Sequence, residues 1–307
     1  MRTGKELIVA TKPFAEDDPS KSWRYFLVTL VLLALALAGT VWNFHLAGKV
    51  VCSVLAGLLL VRTFVIYHDF QHNSILQNSR LADALMTVSG IFCLAAPSVW
   101  KSSHDYHHRH NSKLRSAQIG SYPIMTRENY ELASRKERLG YLLARHPLTI
   151  FFGYFSIFLL GMCVLPFLRS PKRHLDCLAA FVLHVGFGLA MYLFAGWQGL
   201  ILTVMLPHFI AAMLGSYLFY VQHNFPAVVH HEKDGWTYHG AALESSSYLS
   251  TGPLMRFFTA NIGYHHVHHL NARIPFYRLP EAMRKMPELQ TPRSTTLYPL
   301  EIMRCLR

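Results

Sequence analysis

The chain has 307 residues, 52% of them hydrophobic and 15% charged, with a mean hydropathy of +0.23. The length excludes a small disulfide scaffold, and continuous apolar runs with so little charge exclude a disordered chain. A single membrane-embedded domain spanning residues 1–307 fits best. The formal charge is +12, and 19 histidines outnumber the 17 carboxylates. The basic residues lie between apolar runs rather than on one basic stripe, which argues against nucleic acid and for anionic lipid headgroups or an acidic protein as partners. The five cysteines form no CxxC pair and read as inert thiols.

Tyr25 to Phe44 gives 20 residues without a charge, bracketed by Trp23 and Trp42, which is about the length needed to cross a bilayer. Ala36-Leu37-Ala38 resembles a cleavage site. The acidic residues before the run (Glu6, Glu16, Asp17, Asp18) and its continuation beyond that tripeptide argue against a signal peptide. Val50 to Tyr67 follows, completing a helical hairpin whose one charge, Arg62, is expected to snorkel toward the surface. Cys177 to Ala195 and Leu200 to Val221, separated by Gly196-Trp197-Gln198-Gly199, make a second hairpin. The segments Arg109–Arg145, Arg169–Arg173 and the tail after Leu270 hold eight, three and seven Lys or Arg, whereas the two hairpin tips hold only Lys49. By the positive-inside rule all three basic segments face the cytoplasm. Leu148 to Leu168, which joins two of them, is therefore expected to be re-entrant or interfacial, as its Gly153, Gly161 and Pro166 suit. Leu81 to Trp100 reads as surface-lying. The expected fold class is an all-α integral membrane protein with four transmembrane helices in two hairpins and a cytoplasmic histidine-rich cap. Both termini are expected in the cytoplasm of a bacterial inner membrane.

Three histidine clusters stand out: His68-Asp-Phe-Gln-His72, His104-Asp-Tyr-His107-His108 and His265-His-Val-His268-His269. On a helix, positions i, i+3 and i+4 share a face, so each cluster can aim two or three imidazoles at one point. Two membrane crossings between His108 and His265 bring all three clusters to one side of the bilayer. Eight imidazoles exceed the four or so ligands that satisfy one zinc, so two metal ions are implied, with His223, just past the fourth span, as a further ligand. Ligand type alone leaves iron, zinc, copper and nickel open.

These boxes resemble those of the membrane fatty acid desaturases, whose pattern is HxxxH, HxxHH and HxxHH around paired hairpins. The resemblance runs from about Tyr25 to Leu279. The stretches Asn261-Ile-Gly-Tyr-His-His-Val-His-His-Leu-Asn271 and Arg273-Ile-Pro-Phe-Tyr-Arg-Leu279 look like the acyl-lipid, omega-6-type branch. The resemblance implies a non-haem centre of two Fe ions that activates dioxygen (O2) and removes two hydrogens from adjacent methylenes. It also implies the ligand set His68, His72, His104, His107, His108, His223, His265, His268 and His269. His230-His231 departs from the family pattern in the loop after His223.

The chemistry agrees with that implication. An unactivated methylene has neither an acidic proton nor a polarised bond, so a high-valent metal oxidant is needed rather than acid–base or nucleophilic catalysis. The substrate's acyl chain already lies in the bilayer, and an apolar slot between the hairpins could hold it beside the metals. No GxGxxG or P-loop occurs, so electrons must come from a separate donor, such as a ferredoxin or small cytochrome. His110 and His266 lie off the clustered face and read as supporting or surface residues. Asp69 and Asp105 each follow a cluster histidine and can either fix its tautomer or pair with a nearby cation. Gln222, Asn224 and Asn261 read as interfacial hydrogen-bonding residues. His184 and His208, inside apolar spans, read as buried neutral packing, and His174 as a surface residue. Two rivals remain: a hydroxylase or ketolase on the same histidine scaffold, and a membrane metal transporter, whose ligands belong at mid-membrane rather than at the ends of spans.

Overall fold

The structure, a computed structural model, describes residues 2–43, 45–114 and 119–306; Phe44, where the first apolar run ends, and Arg115, one of the basic residues counted above, lie outside the described residues. A short helix α1 (Gly4–Ala10) leads to α2 (Pro19–Val41), whose start is fixed by Pro19 at its first turn and by the Asp18 carboxylate accepting the Lys21 N–H. The antiparallel partner α3 (Leu46–Gln71) has 26 residues, about 39 Å, which exceeds a 30 Å hydrocarbon core and carries its last turn beyond it. Two helices at 90° follow, α4 (Arg80–Phe92) and α5 (Pro97–His110). After α6 (Arg127–Leu132), α7 (Arg135–Arg145) and α8 (Pro147–Phe151), residues Tyr154–Val164 form a π-helical segment continued by α9 (Leu165–Arg169). At Tyr154–Arg169 this apolar stretch is shorter than the helices long enough to cross a membrane.

Among the described residues, three helical segments have that length and apolarity: Pro19–Val41, Leu46–Gln71 and Leu175–Val221. The third reverses direction at Ala195 and Gly196, where Gly196 takes φ +63°, a left-handed conformation that glycine adopts without cost. It thus comprises α10 (Leu175–Gly199), a π turn (Leu200–Met205) and α11 (Leu206–Val221). His184 and His208, each 12 residues from Gly196, meet with ring centroids 4.6 Å apart, as an antiparallel hairpin requires. The two hairpins touch at Gly57, where a Cβ would stand 2.8 Å from Ile210 Cβ and 2.9 Å from the Pro207 carbonyl. Only a glycine lets the backbones of α3 and α11 come so close.

Arg62 departs from the snorkelling expectation. It is buried, donates from Nε to Thr29 Oγ1 at 2.9 Å and from its terminal nitrogen to the Phe257 carbonyl, and lies 4.2 Å over the Phe257 ring. Protein oxygens and an aromatic face replace the headgroup water it would otherwise reach for.

The rest of the chain caps the ends of the hairpins with α12 (Tyr238–Glu244), α13 (Pro253–Phe258), α14 (His265–Leu270), α15 (Leu279–Lys285) and α16 (Pro299–Cys305). The cap also contains a feature outside the all-α expectation, a parallel pairing of β1 (Tyr248–Ser250) with β2 (Ser294–Thr296), three residues each, in register at Leu249 and Thr295. The N-terminal segment straps this cap. The Asn271 amide donates to Thr11 at 2.7 Å, the Tyr277 hydroxyl to Asp17 at 2.8 Å, and Arg2 pairs with Glu288 at 2.8 Å.

Candidate metal centre

The nine sequence-selected histidines converge in two sets. His68 and His72 at the end of α3, His104 and His108 of α5 and His268 of α14 form one; His107 of α5, His223 just past α11, and His265 and His269 of α14 form the other. Within each set the ligand-capable atoms lie within 4.8 Å of one another. Each i, i+4 pair shares a set, as helical geometry requires. The middle histidine of each HxxHH box, however, turns to the other set: His107 leaves His104 and His108, and His268 leaves His265 and His269. Positions i+3 and i+4 diverge by about 100° around a helix, so one box can serve two centres rather than a single point. Helices α5 and α14 each therefore bridge both sets.

The ring nitrogens face inward. In the second set the Nε2 atoms of His107 and His223, His223 and His265, His265 and His269, and His269 and His107 are separated by 3.0, 2.9, 3.1 and 3.2 Å, closing a ring. In the first, His68 and His104 approach to 2.8 Å, His104 and His108 to 3.1 Å, and His108 and His268 to 3.1 Å, again through Nε2. A neutral imidazole has one proton to share, so such rings cannot be satisfied by hydrogen bonds alone. Lone pairs converging on one point form a donor set that fits a divalent transition-metal ion. Burial favours the neutral form of an imidazole. It pushes the imidazoles of His107, His108, His265, His268 and His269 well below their ordinary range, and that of His223 down to about 4.

Three of the rings are oriented from behind. His68 Nδ1 lies 3.1 Å from Asp69 Oδ1, His107 Nδ1 lies 2.6 Å from Ser121 Oγ, and His223 Nδ1 lies 3.0 Å from the Ser245 carbonyl. Of the two acids that follow cluster histidines, Asp69 takes the tautomer-fixing position, whereas Asp105 pairs with Lys101 at 3.7 Å. Ser121 and Ser245 were not foreseeable, since each comes from a loop remote in sequence and carries no pattern. His110 stacks on Tyr106 and His266 Nε2 reaches the Leu289 carbonyl at 3.1 Å, both outside the two sets. Gln222 donates to the Ile262 carbonyl and Asn261 to that of Phe276, while Asn224 accepts from Arg145 at 2.7 Å. His184 bonds the Tyr154 hydroxyl at 2.6 Å, and His208 lies against the Val204 and Phe92 carbonyls.

A third group, His174, Asp176 and Cys177, escaped the sequence reading, which placed His174 at the surface. Its polar atoms are taken by Ser98. The serine hydroxyl lies 2.8 Å from His174 Nδ1 and 2.6 Å from Asp176 Oδ1, and the Ser98 N–H donates to Asp176 Oδ2 at 2.8 Å. The group clamps the N-terminus of α5, the helix that carries His104, His107 and His108, and the Asp176 charge complements that helix dipole.

Against the first set lies an apolar cavity of about 380 Å³. Trp100, His104, Ser121 and Phe219 line its inner end, and Ala144, Thr149, Ile157 and Gly161 line the rest. Trp100 stacks on His104 with centroids 4.9 Å apart and meets Phe219 edge-on at 5.3 Å, so aromatic carbon flanks His104 where that imidazole borders the cavity.

The model of the family described as fatty acid desaturase matches residues 45–299, which include every histidine of both sets. The chain belongs to the fatty acid desaturase family. A protein named fatty acid desaturase from Bacillus subtilis is 32% identical over 246 residues, covering 80% of this chain and 70% of its own length. The sn-1 acyl-lipid omega-3 desaturase (ferredoxin) of Nostoc is 23% identical, covering 87% of this chain and 75% of its own. The chloroplastic omega-6 fatty acid desaturase of Glycine max is 24% identical, covering 90% of this chain and 65% of its own. This desaturase-family chain is accordingly a membrane oxidoreductase of fatty acid metabolism, and its histidine clusters are of the metal-binding kind.

Proposed function

We propose that this enzyme introduces a double bond into the acyl chain of a membrane lipid, with two iron ions held by the nine histidines, one in each set. The observation that carries the reading is the contact between the 380 Å³ apolar cavity and His104, which puts space for a hydrocarbon chain against a ring of converging imidazoles. That volume lies within the range of small-molecule sites. The acyl-lipid carrier follows the name of the Nostoc relative and the apolar surroundings of the cavity.

When bound, the irons supply the oxidising power, with O2, that a methylene C–H bond demands. The balanced reaction consumes one dioxygen, two electrons and two protons for each –CH2–CH2– converted to –CH=CH–, and releases two waters. The protein's own residues prepare the site. Trp100 and Phe219 hold the chain in place and keep bulk water from the inner end of the cavity. Asp69, Ser121 and the Ser245 carbonyl fix three imidazoles so that Nε2 faces the metal.

Four crossings are proposed, α2, α3, α10 and α11, with both termini and both histidine sets cytoplasmic in a bacterial inner membrane; the basic segments support this orientation. The Nostoc relative's name specifies ferredoxin, and the basic charge suits an acidic donor of that kind or a small cytochrome. Gas chromatography with mass spectrometry of total fatty acids from a host expressing this chain, beside a His107→Ala control, tests the reading. A new double bond absent from the control is expected. A hydroxylated product, or unchanged lipids from protein carrying both irons with a reducing ferredoxin supplied, overturns it.

A further inference from the structure

Helix α7 has no buried residue, yet it carries three leucines on one face: Leu139, Leu142 and Leu143 are 56%, 52% and 54% exposed. The apolar band continues along the chain on both sides, through Leu132 before it and Leu148, Phe151, Phe152 and Phe155 after it, all exposed. In water such a band would be a liability. Beside these leucines stand Arg135 and Lys136, both exposed and in no hydrogen bond or ion pair among the described residues. The opposite side of the helix turns inward. Ala144 lines the 380 Å³ cavity, and Arg145 donates to Asn224 Oδ1 at 2.7 Å and to the Tyr220 hydroxyl at 3.0 Å, beside His223. The helix is also held in register by a capping box between Ser134 and Glu137.

We propose that α7 is an interfacial arm that docks an anionic phospholipid at the mouth of the cavity. Its leucines sit among the acyl chains on the membrane face that bears the histidine sets, and Arg135 and Lys136 meet the net negative charge of the headgroup. The occupant is a phospholipid because the helix pairs an exposed apolar face with two free cations at its edge, and because exposed apolar residues resume after Arg145-His146-Pro147, in Leu148, Phe151 and Phe152, and lead into the apolar Tyr154–Val164 segment. A lipid seated there needs only to turn its chain past Ala144 and Thr149 to enter the cavity. This docking role rests on the reading that the cavity takes the acyl chain.

Two measurements on the full protein in lipid bilayers test it. The first places an indole on the apolar face by Leu142→Trp and compares its emission with that of the native five-tryptophan protein. Lipids brominated in their acyl chains should quench the added fluorescence; an added signal that they leave unquenched overturns the arm. The second reverses charge with Arg135→Glu and Lys136→Glu, residues on the surface and away from the histidines. The KM for phosphatidylglycerol should rise at least about fivefold, with that for phosphatidylcholine and the bound iron unchanged. Equal effects on both lipids, or none on either, overturn the recognition of an anionic headgroup. Quenching needs no turnover, so the depth of α7 is read even if the lipid products show the desaturase reading to be wrong.

Discussion

The Asp69 carboxylate stands between His68 and the chain that covers it: Oδ1 lies 3.1 Å from His68 Nδ1, and Oδ2 accepts the Phe276 N–H at 2.6 Å. Fully buried, it gives each oxygen one partner, turns His68 Nε2 toward His104, and ties α3 to the Arg273–Tyr277 segment. Asp69→Asn keeps the shape but removes one of the two acceptors. Metal affinity at the first histidine set should fall about 10–100-fold, as is usual when a ligand's hydrogen-bond partner is lost. Iron retained during graded chelation measures it; occupancy equal to that of the native protein would remove Asp69 from this role.

The crossing of the HxxHH boxes between sets makes a distinct prediction. His268 belongs with His104 and His108, and His107 with His265 and His269. His268→Ala and His107→Ala should therefore each deplete a different centre, leaving about half the native iron while abolishing turnover. If each box served its own metal, the pairs His268→Ala with His265→Ala and His107→Ala with His104→Ala would empty one site each. The crossed arrangement expects either pair to damage both. Metal counts on the double variants separate these patterns.

Eight of the nine histidines were readable because imidazoles recur at i and i+4 three times, twice with a further one at i+3, a local pattern that any helix converts into a shared face, and His223 was readable from its place just past the fourth span. Which histidine joins which set was not readable, because the 100° between i+3 and i+4 acquires meaning only when α5 and α14 face each other. The hairpins were visible in the length of their apolar runs and in Gly196. Arg62 was misplaced because its partners, Thr29 and the Phe257 carbonyl, come from distant segments. The Ser98 clamp on His174 and Asp176 joins residues 76 and 78 positions apart and has no periodic signature.

Tyr277 fastens the N-terminal strap, donating its hydroxyl to Asp17 and accepting the Asp18 N–H, each at 2.8 Å. Burial pushes its phenol up to about 12 from the ordinary 10. Below pH 10 the hydroxyl is protonated in both folded and unfolded chains, so its contribution is fully present. Between pH 10 and about 12 the unfolded chain releases the proton while the folded one keeps it, so stability falls as pH rises. Tyr277→Phe should lower stability by about 1 kcal/mol near neutral pH and flatten the alkaline loss. Thermal melts at neutral and alkaline pH check both. An unchanged alkaline slope would show that another group governs it.

Ile157 lines the cavity from the π-helical segment, as do Trp100 and Phe219 from α5 and α11. Enlarging it with Ile157→Trp should occupy part of the 380 Å³ without touching a histidine of either set. Overpacking at a half-buried position costs about 1–3 kcal/mol, which a chain of this size can absorb. Iron content should therefore stay at its native level while turnover of long acyl chains drops, with shorter chains affected less because they need less of the cavity. The ratio of products from two chain lengths, measured at equal iron, is the deciding quantity. A drop shared equally by both lengths would point to a general loss of function, and an unchanged ratio at full activity would mean that the acyl chain lies elsewhere.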